Sequence, residues 1–134
     1  GLPAEGKATG RMTVADVARR DVPTCRLSET IAEVRERILA SGWDQCVVVN
    51  ERKVVLGRVR TETLAGDPET PVERVMEAGP TTYRLDRPAE EAAARLKERK
   101  VESVLVSTTD GEIVGVFYAD YAENPAHLGG TGKR

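Results

Sequence analysis

Little in this chain can do covalent chemistry. Its only histidine, His127, lies near the C-terminus, and Cys25 and Cys46 stand in apolar, strand-like runs with neither a C-x-x-C spacing nor a neighbouring histidine. No Ser-His, Cys-His or metal-ligand set can be assembled, and the carboxylates are scattered along amphipathic stretches, so the chain does not read as an enzyme and no metal is expected. The groups that remain are those that bind. Arg60 ends an apolar strand just ahead of a short helix, where a guanidinium and free N–H groups together suit a phosphate; a plain surface position suits it equally. Lys100, in the loop before a later strand, reads the same way. Glu62 and Asp120 each stand five residues past a glycine, Gly57 and Gly115. An acid there favours a helix N-terminus by a few tenths to about 1 kcal/mol whether or not it meets a ligand.

The elements that must hold these groups are written twice. Val54-Val55-Leu56-Gly57-Arg58-Val59-Arg60-Thr61-Glu62-Thr63-Leu64 returns as Glu112-Ile113-Val114-Gly115-Val116-Phe117-Tyr118-Ala119-Asp120-Tyr121-Ala122. The shift that carries Gly57 onto Gly115 also carries Val14 onto Val72, Thr24 onto Thr82, Leu27 onto Leu85 and Val48 onto Val106, with no gap. An unbroken register of this kind marks one structural unit repeated. Thr13-Val-Ala-Asp16 has capping-box spacing and opens a short helix to about Arg20, and Thr70-Pro71-Val72-Glu73 opens the second copy with its proline in the first turn.

Thr24–Leu27 and Thr82–Leu85 alternate as half-buried strands do, and Ser28 and Asp86 then stand as matched N-caps. Ile31, Val34 and Ile38, matched by Ala89, Ala92 and Leu96, predict a helix laying one apolar stripe on a sheet, with Arg35, Glu36 and Arg37 solvated. Val-rich strands follow at 45–49 and 103–107, then turns at Asn50–Lys53 and Thr108–Gly111, then the Gly-bearing strand and a brief closing helix. The expected fold is α+β. Residues 1–10 form a flexible N-terminal segment, 11–66 the first repeat, 67–123 the second and 124–134 a flexible tail, with the repeats face to face about a pseudo-twofold axis.

The 134 residues suffice for one compact core without metal or disulfide. Charged residues are 31% and the net charge is −2, so no long-range field draws the chain to nucleic acid or an anionic membrane. Apolar runs such as Cys46–Val49 fall far short of a membrane span, no signal-peptide pattern opens the chain, and the free cysteines fit a reducing cytoplasm. A start at Gly1-Leu2 fits a piece excised from a larger protein. Ile38, Leu39 and Trp43 are expected to share an uncovered helix face, which predicts a homodimer.

Two repeats of this length and order, each ending in an apolar strand, a Gly, two strand residues and a short helix, resemble a tandem pair of cystathionine-beta-synthase (CBS) domains, a Bateman module, over about residues 12 to 123. The resemblance implies β-α-β-β-α repeats and a regulatory role, with an adenine nucleotide, S-adenosylmethionine or a nicotinamide dinucleotide held in a cleft and a fused or partner effector domain receiving the signal. In that family the closing strand reads Gly, two apolar residues, Thr or Ser, two variable residues, then an Asp that holds the ribose diol.

Here the two positions are Arg60 and Thr63 in one repeat and Tyr118 and Tyr121 in the other, so neither ribose Asp is present. Losing a charge-assisted hydrogen bond of about 1.5–3 kcal/mol weakens binding about ten- to a hundred-fold. Glu62 and Asp120 stand one residue earlier and reach the ribose if the closing helix starts slightly shifted. Thr24 and Thr82 fall where family members contact the base, and Tyr118 and Tyr121 either stack an adenine or plug its place. Two functions follow: a sensor of an adenosine-containing ligand, with Arg60 its best-placed phosphate group, and a ligand-free dimerisation or protein-interaction module with degenerate pockets.

Overall fold

The computed structural model describes residues 12–129. The N-terminal segment 1–10 and the end of the tail, 130–134, lie outside the described residues. The chain divides into two compact units, and neither follows it end to end. One gathers Asp21–Pro80 with Asp110–Ile113; the other gathers 12–20, Thr81–Thr109 and 114–129.

In the first unit β1 (Thr24–Cys25), β2 (Gln45–Val49), β3 (Val55–Arg60) and β4 (Glu77–Ala78) form one sheet in that order, with β1 parallel to β2 and the other pairs antiparallel. In chain order α1 is Val14–Val17 and α2 is Ile31–Ser41. The predicted stripe of α2 holds: Ile31, Val34 and Ile38 pack with Cys25, Cys46, Val48, Val59, Leu64 and Val72. The helix starts at Thr30, whose hydroxyl accepts from Glu33 N while the Glu33 carboxylate accepts from Thr30 N. This reciprocal cap displaces the expected one at Ser28, because two orphan N–H groups are answered at once. Gly42 ends the helix at φ 79, a left-handed position that glycine adopts without Cβ strain. Cys25 and Cys46 are buried free thiols as predicted, and the Cys25 hydrogen bond and burial push the Cys46 thiol far up, which keeps it inert.

The second unit orders β5 (Thr82–Arg84), β6 (Ser103–Ser107) and β7 (Ile113–Tyr118). Helix α3 (Ala89–Glu98) lays Ala89, Ala92, Ala93 and Leu96 on Val104, Val106 and Phe117, so that an alanine face lets one large ring fill the layer. Helix α3 starts after Pro88 rather than at Asp86. Both capping-box groups predicted for α1 are in place at Thr13 and Asp16, though the helix stops at Val17; the matching start at Pro71 is a 3-10 turn, Val72–Arg74.

Each unit takes its leading segment from the opposite end of a repeat. Val14 and Val17 of α1 pack with α3, and Arg19 exchanges both backbone hydrogen bonds with Val116 of β7, at 2.8 and 2.9 Å. In the same way Glu77 and Ala78 pair with Arg58 and Gly57 of β3. The repeated glycine is what admits these segments. A Cβ on Gly115 would stand 2.4 Å from Arg19 O, and one on Gly57 would stand 2.4 Å from Met76 Sδ and 3.0 Å from Glu77 O.

The face expected to drive dimerisation is mostly buried in the single chain. Ile38 and Trp43 are buried, and only Leu39, 70% exposed, is open. Arg35 and Arg37, read as solvated, bend back onto protein: Arg35 donates to Leu64 O, and Arg37 donates to Thr24 O and pairs with Glu29, whose carboxyl it holds below the usual range.

The glycines make a differential prediction. Gly115→Ala must displace the Arg19 backbone and should cost about 1–3 kcal/mol in urea unfolding, within the range for overpacking. Gly57→Ala meets chiefly the flexible end of Met76 and should cost less; an equal or reversed order would contradict the close-approach reading.

Candidate functional site

Strand β3 delivers Arg60 to a single 3-10 turn, Thr61–Thr63. The Thr63 hydroxyl is spent on that turn, accepting from Arg60 N at 3.2 Å and donating to Arg60 O at 2.8 Å. Thr61 anchors the turn by donating its N–H to Asp44 O at 3.1 Å. Glu62 is exposed at its apex. The expected closing helix is thus a three-residue turn, too short to sum peptide dipoles, and acid stabilisation at a helix N-terminus does not apply to Glu62.

The second repeat closes differently. After Tyr118 the chain makes turns through residues 119–123, with Tyr121 N donating to Tyr118 O and Asn124 N to Asp120 O. The Asn124 side chain then caps a 3-10 turn at Pro125–His127 by accepting from Ala126 N at 3.0 Å. That turn folds His127 back onto the strand end. Its Nδ1 lies 2.7 Å from Asp120 Oδ1, and its ring stacks on Tyr118 at 3.8 Å and 11°. Arg19 Nη1 donates to Ala126 O at 3.0 Å and Gly129 N to Val17 O at 3.0 Å. Residues 124–129, expected within a flexible tail, thus have hydrogen-bond and stacking partners in the second unit. An asparagine cap, a proline in the first turn and a ring to stack on give this segment its own partners.

Tyr118, Ala119, Asp120 and His127, together with Lys97, Lys100, Val101 and Glu102, line a cavity of about 410 Å³. Lys100 reaches it from the turn joining α3 to β6, in a left-handed conformation at φ 61. The cavity joins an apolar and aromatic surface (Val101, Tyr118, Ala119) to two ammonium groups, an arrangement suited to a flat anionic molecule. Lys97 also lies 3.6 Å from Glu123, a solvent-exposed pair that holds it only weakly. Tyr118 lines the cavity, and Tyr121 packs on Phe117 at 5.3 Å between ring centres. Burial, Glu90 and Glu123 push the Tyr121 phenol up.

Of the sequence-predicted residues, Lys100, Tyr118 and Asp120 are brought together here. Thr82 lines a separate open groove of about 580 Å³ beside α3, among Arg84, Arg87, Arg95 and Arg99, where Arg87 lies over the Tyr83 ring. Thr24 lines a cavity of about 200 Å³ with Cys25, Glu29 and Lys53, below the size of ordinary ligand sites. Arg60, Glu62 and Thr63 line none of these three. Sequence reading missed His127, assigned to a flexible tail, and Lys97, to which it gave no binding role; the Asn124-Pro125 cap signal was the clue to the first.

A repeated α+β unit with exchanged leading segments and a small-molecule-sized cavity beside a closing turn defines a tandem-repeat module. The family model for the CBS domain matches residues 14–66 and 67–120, and the chain belongs to the CBS domain family as a tandem pair. No curated protein sequence matches it. Among solved structures, the cytosolic domain of the Mg²⁺ channel MgtE in complex with ATP superposes at TM-score 0.72 and 21% identity, covering 79% of this chain and 45% of that one. This chain therefore spans less than half of that domain. A CBS domain pair in complex with methylthioadenosine and S-adenosyl-L-methionine superposes at 0.71 and 16% identity, covering 84% and 93%. The CBS-pair protein CBSX2 of Arabidopsis thaliana in complex with AMP superposes at 0.74 and 18% identity, covering 86% and 96%. Among the described residues no group of His, Cys, Asp or Glu could hold a metal ion, and no helix is long and apolar enough to cross a membrane.

The His127 contact has a measurable consequence. Partial burial pushes the Asp120 carboxyl up, but the hydrogen bond and charge of His127, with hydrogen bonds from Asn124 and the Asp120 backbone, together outweigh it and hold the group below its usual range. A folded-state pKa below the unfolded one stabilises the native state at pH values above the unfolded carboxylate pKa, and that contribution is lost as pH falls through the folded value. His127→Ala should return the Asp120 carboxyl toward its ordinary pKa in a carbon-detected NMR titration. An unmoved titration would show that the pair does not form.

Proposed function

We propose that this CBS pair is a regulatory module that senses an anionic, adenosine-containing ligand, an adenine nucleotide or a nicotinamide dinucleotide, in the second repeat. The observation that carries the reading is the 410 Å³ cavity, whose lining combines the apolar and aromatic Val101, Tyr118 and Ala119 with Lys97 and Lys100. Val101 and Tyr118 would contact a base, the two lysines a phosphate, and Asp120 a ribose hydroxyl on release from His127. The complexes of MgtE with ATP and of CBSX2 with AMP support this ligand class. The site expected at Arg60 ranks behind it, because Thr63 is committed to its own turn. The module would be non-catalytic and cytoplasmic, and would pass its state to an effector domain or a second copy.

One observation favours a second reading, a ligand-free interaction module: Asp120 already has a partner in His127. A thermal-shift series with AMP, ADP, ATP, S-adenosylmethionine and NADH separates the two. Ligand at 100 times its Kd adds about 2.7 kcal/mol of stability. Wild type should shift with at least one of these, and Lys100→Gln should weaken a phosphate-bearing ligand about tenfold or more, as expected for a lost charge-assisted contact. No shift at millimolar concentration with any of the five would discard the sensor.

A further inference from the structure

The groove of about 580 Å³ beside α3 carries charge that the fold does not use. Strand β5 and helix α3 are joined by the short turn 85–88, and the groove runs between them. Glu91, Arg95 and Arg99 stand four apart and so share one face of the helix, while Arg84 and Arg87 come just before its start. Four guanidiniums thus meet two carboxylates, Asp86 and Glu91, in a chain whose net charge is −2. Among the described residues none of the four has an ion pair or a side-chain hydrogen bond, and Arg87 has only the Tyr83 ring, 4.1 Å from its centre. Arg26, Arg37 and Arg58, by contrast, each meet a carboxylate. Strand β5 is also the outer strand of its sheet and pairs only with β6. Part of the backbone of an outer strand faces away from its neighbour, and Thr82 and Tyr83 make no backbone bond outside the sheet among the described residues.

The length of the groove bears on what fills it. From Pro88 to Arg99 the helix rises about 16 Å, so the outermost guanidiniums lie too far apart for one small anion to answer them all. An extended chain covers that distance in about five residues. Such a segment brings backbone groups to the open edge of β5 and, if acidic at alternate positions, a row of carboxylates to the arginines, each able to hold one through two N–H donors. Neither end of this chain is acidic: residues 1–11 carry Glu5 against Lys7 and Arg11, and 130–134 end in Lys133-Arg134. A nucleic-acid strand suits the arginines locally, but beyond the groove its phosphates meet a chain of net negative charge. We propose that the groove between β5 and α3 docks an extended acidic segment of another polypeptide, added as a strand to β5 with its carboxylates on Arg84, Arg87, Arg95 and Arg99. The groove shares no lining residue with the 410 Å³ cavity, and its docking role does not rest on ligand binding there.

The test is fluorescence anisotropy of a labelled peptide, Glu-Val-Glu-Val-Glu-Val-Glu, with the full chain at low and at physiological salt, alongside the ¹⁵N signals of Arg95 and Arg99 Nε. The peptide should bind, weaken as salt rises and move both signals, and its counterpart with lysine for glutamate should not bind. The double variant Arg95→Gln, Arg99→Gln should melt as wild type does and weaken the peptide about tenfold or more. Arg95→Lys, Arg99→Lys, which keeps the charge without the forked donors, should recover part of that loss. Methylating alternate backbone nitrogens of the peptide should weaken it, because strand pairing needs those donors. Lys97→Gln, Lys100→Gln should bind the peptide as wild type does. The proposal is overturned if wild type does not bind the peptide or binds the lysine counterpart equally well. It is overturned too if the folded Arg95→Gln, Arg99→Gln variant binds as wild type does, if backbone methylation changes nothing, or if the lysine double variant loses binding. Should the glutamine variant not fold, unmoved Arg95 and Arg99 signals in wild type overturn it. Tighter binding of ATP or of an oligothymidylate than of the peptide, moving the same two signals, makes the groove a phosphate or nucleic-acid site and overturns it as well.

Discussion

The close approach of a third backbone to the Gly-bearing strand is the contact from which the rest of the structure follows. At Gly115 the Arg19 carbonyl occupies space that any Cβ would need, and at Gly57 the Met76–Glu77 segment does so. Only because that space is free can residue 19 pair with Val116 and residues 77 and 78 with β3. Those pairings bring Val14 and Val17 into one core and Val72 into the other, all three of them wholly buried. A core that loses one such side chain loses roughly 1.5–3 kcal/mol of burial, so the exchange is part of what makes each unit stable and not a decoration on it.

The same strands then divide in what they deliver. Strand β3 ends in a turn that consumes its own hydroxyl, with Thr63 bonded both ways to Arg60. Strand β7 ends in turns that leave Tyr118 and Asp120 facing a cavity and recruit His127 to them. Duplication supplied matching frames, but the side chains past each glycine give the repeats different chemistry. The second holds an apolar and cationic cavity; the first holds a buried guanidinium with three donors unmet and a second arginine two residues on.

These asymmetries share one physical origin. Water solvates an arginine or an asparagine equally well wherever it lies in an unfolded chain, and only folding separates a cation that keeps its water from one that loses it. Arg37 loses part of its water and is answered by Glu29 and the Thr24 carbonyl. Arg58 loses nearly all of it and is answered on one nitrogen, loosely.

Periodicity and repetition determined the elements. The stripe of Ile31, Val34 and Ile38, the Thr13–Asp16 cap, the Val-rich strands and the repeated glycine were legible because each is a local pattern of side chains that secondary structure must satisfy wherever it lies. The resemblance to CBS pairs added the family. What tertiary structure alone decided is which segments meet. It set the exchange of residues 12–20 and the β4 segment, the return of His127 onto Tyr118 and Asp120, the covering of Ile38 and Trp43, and the burial of Arg58. Each of these depends on distance between residues far apart in the chain, and local preferences of backbone and side chain carry no information about that distance.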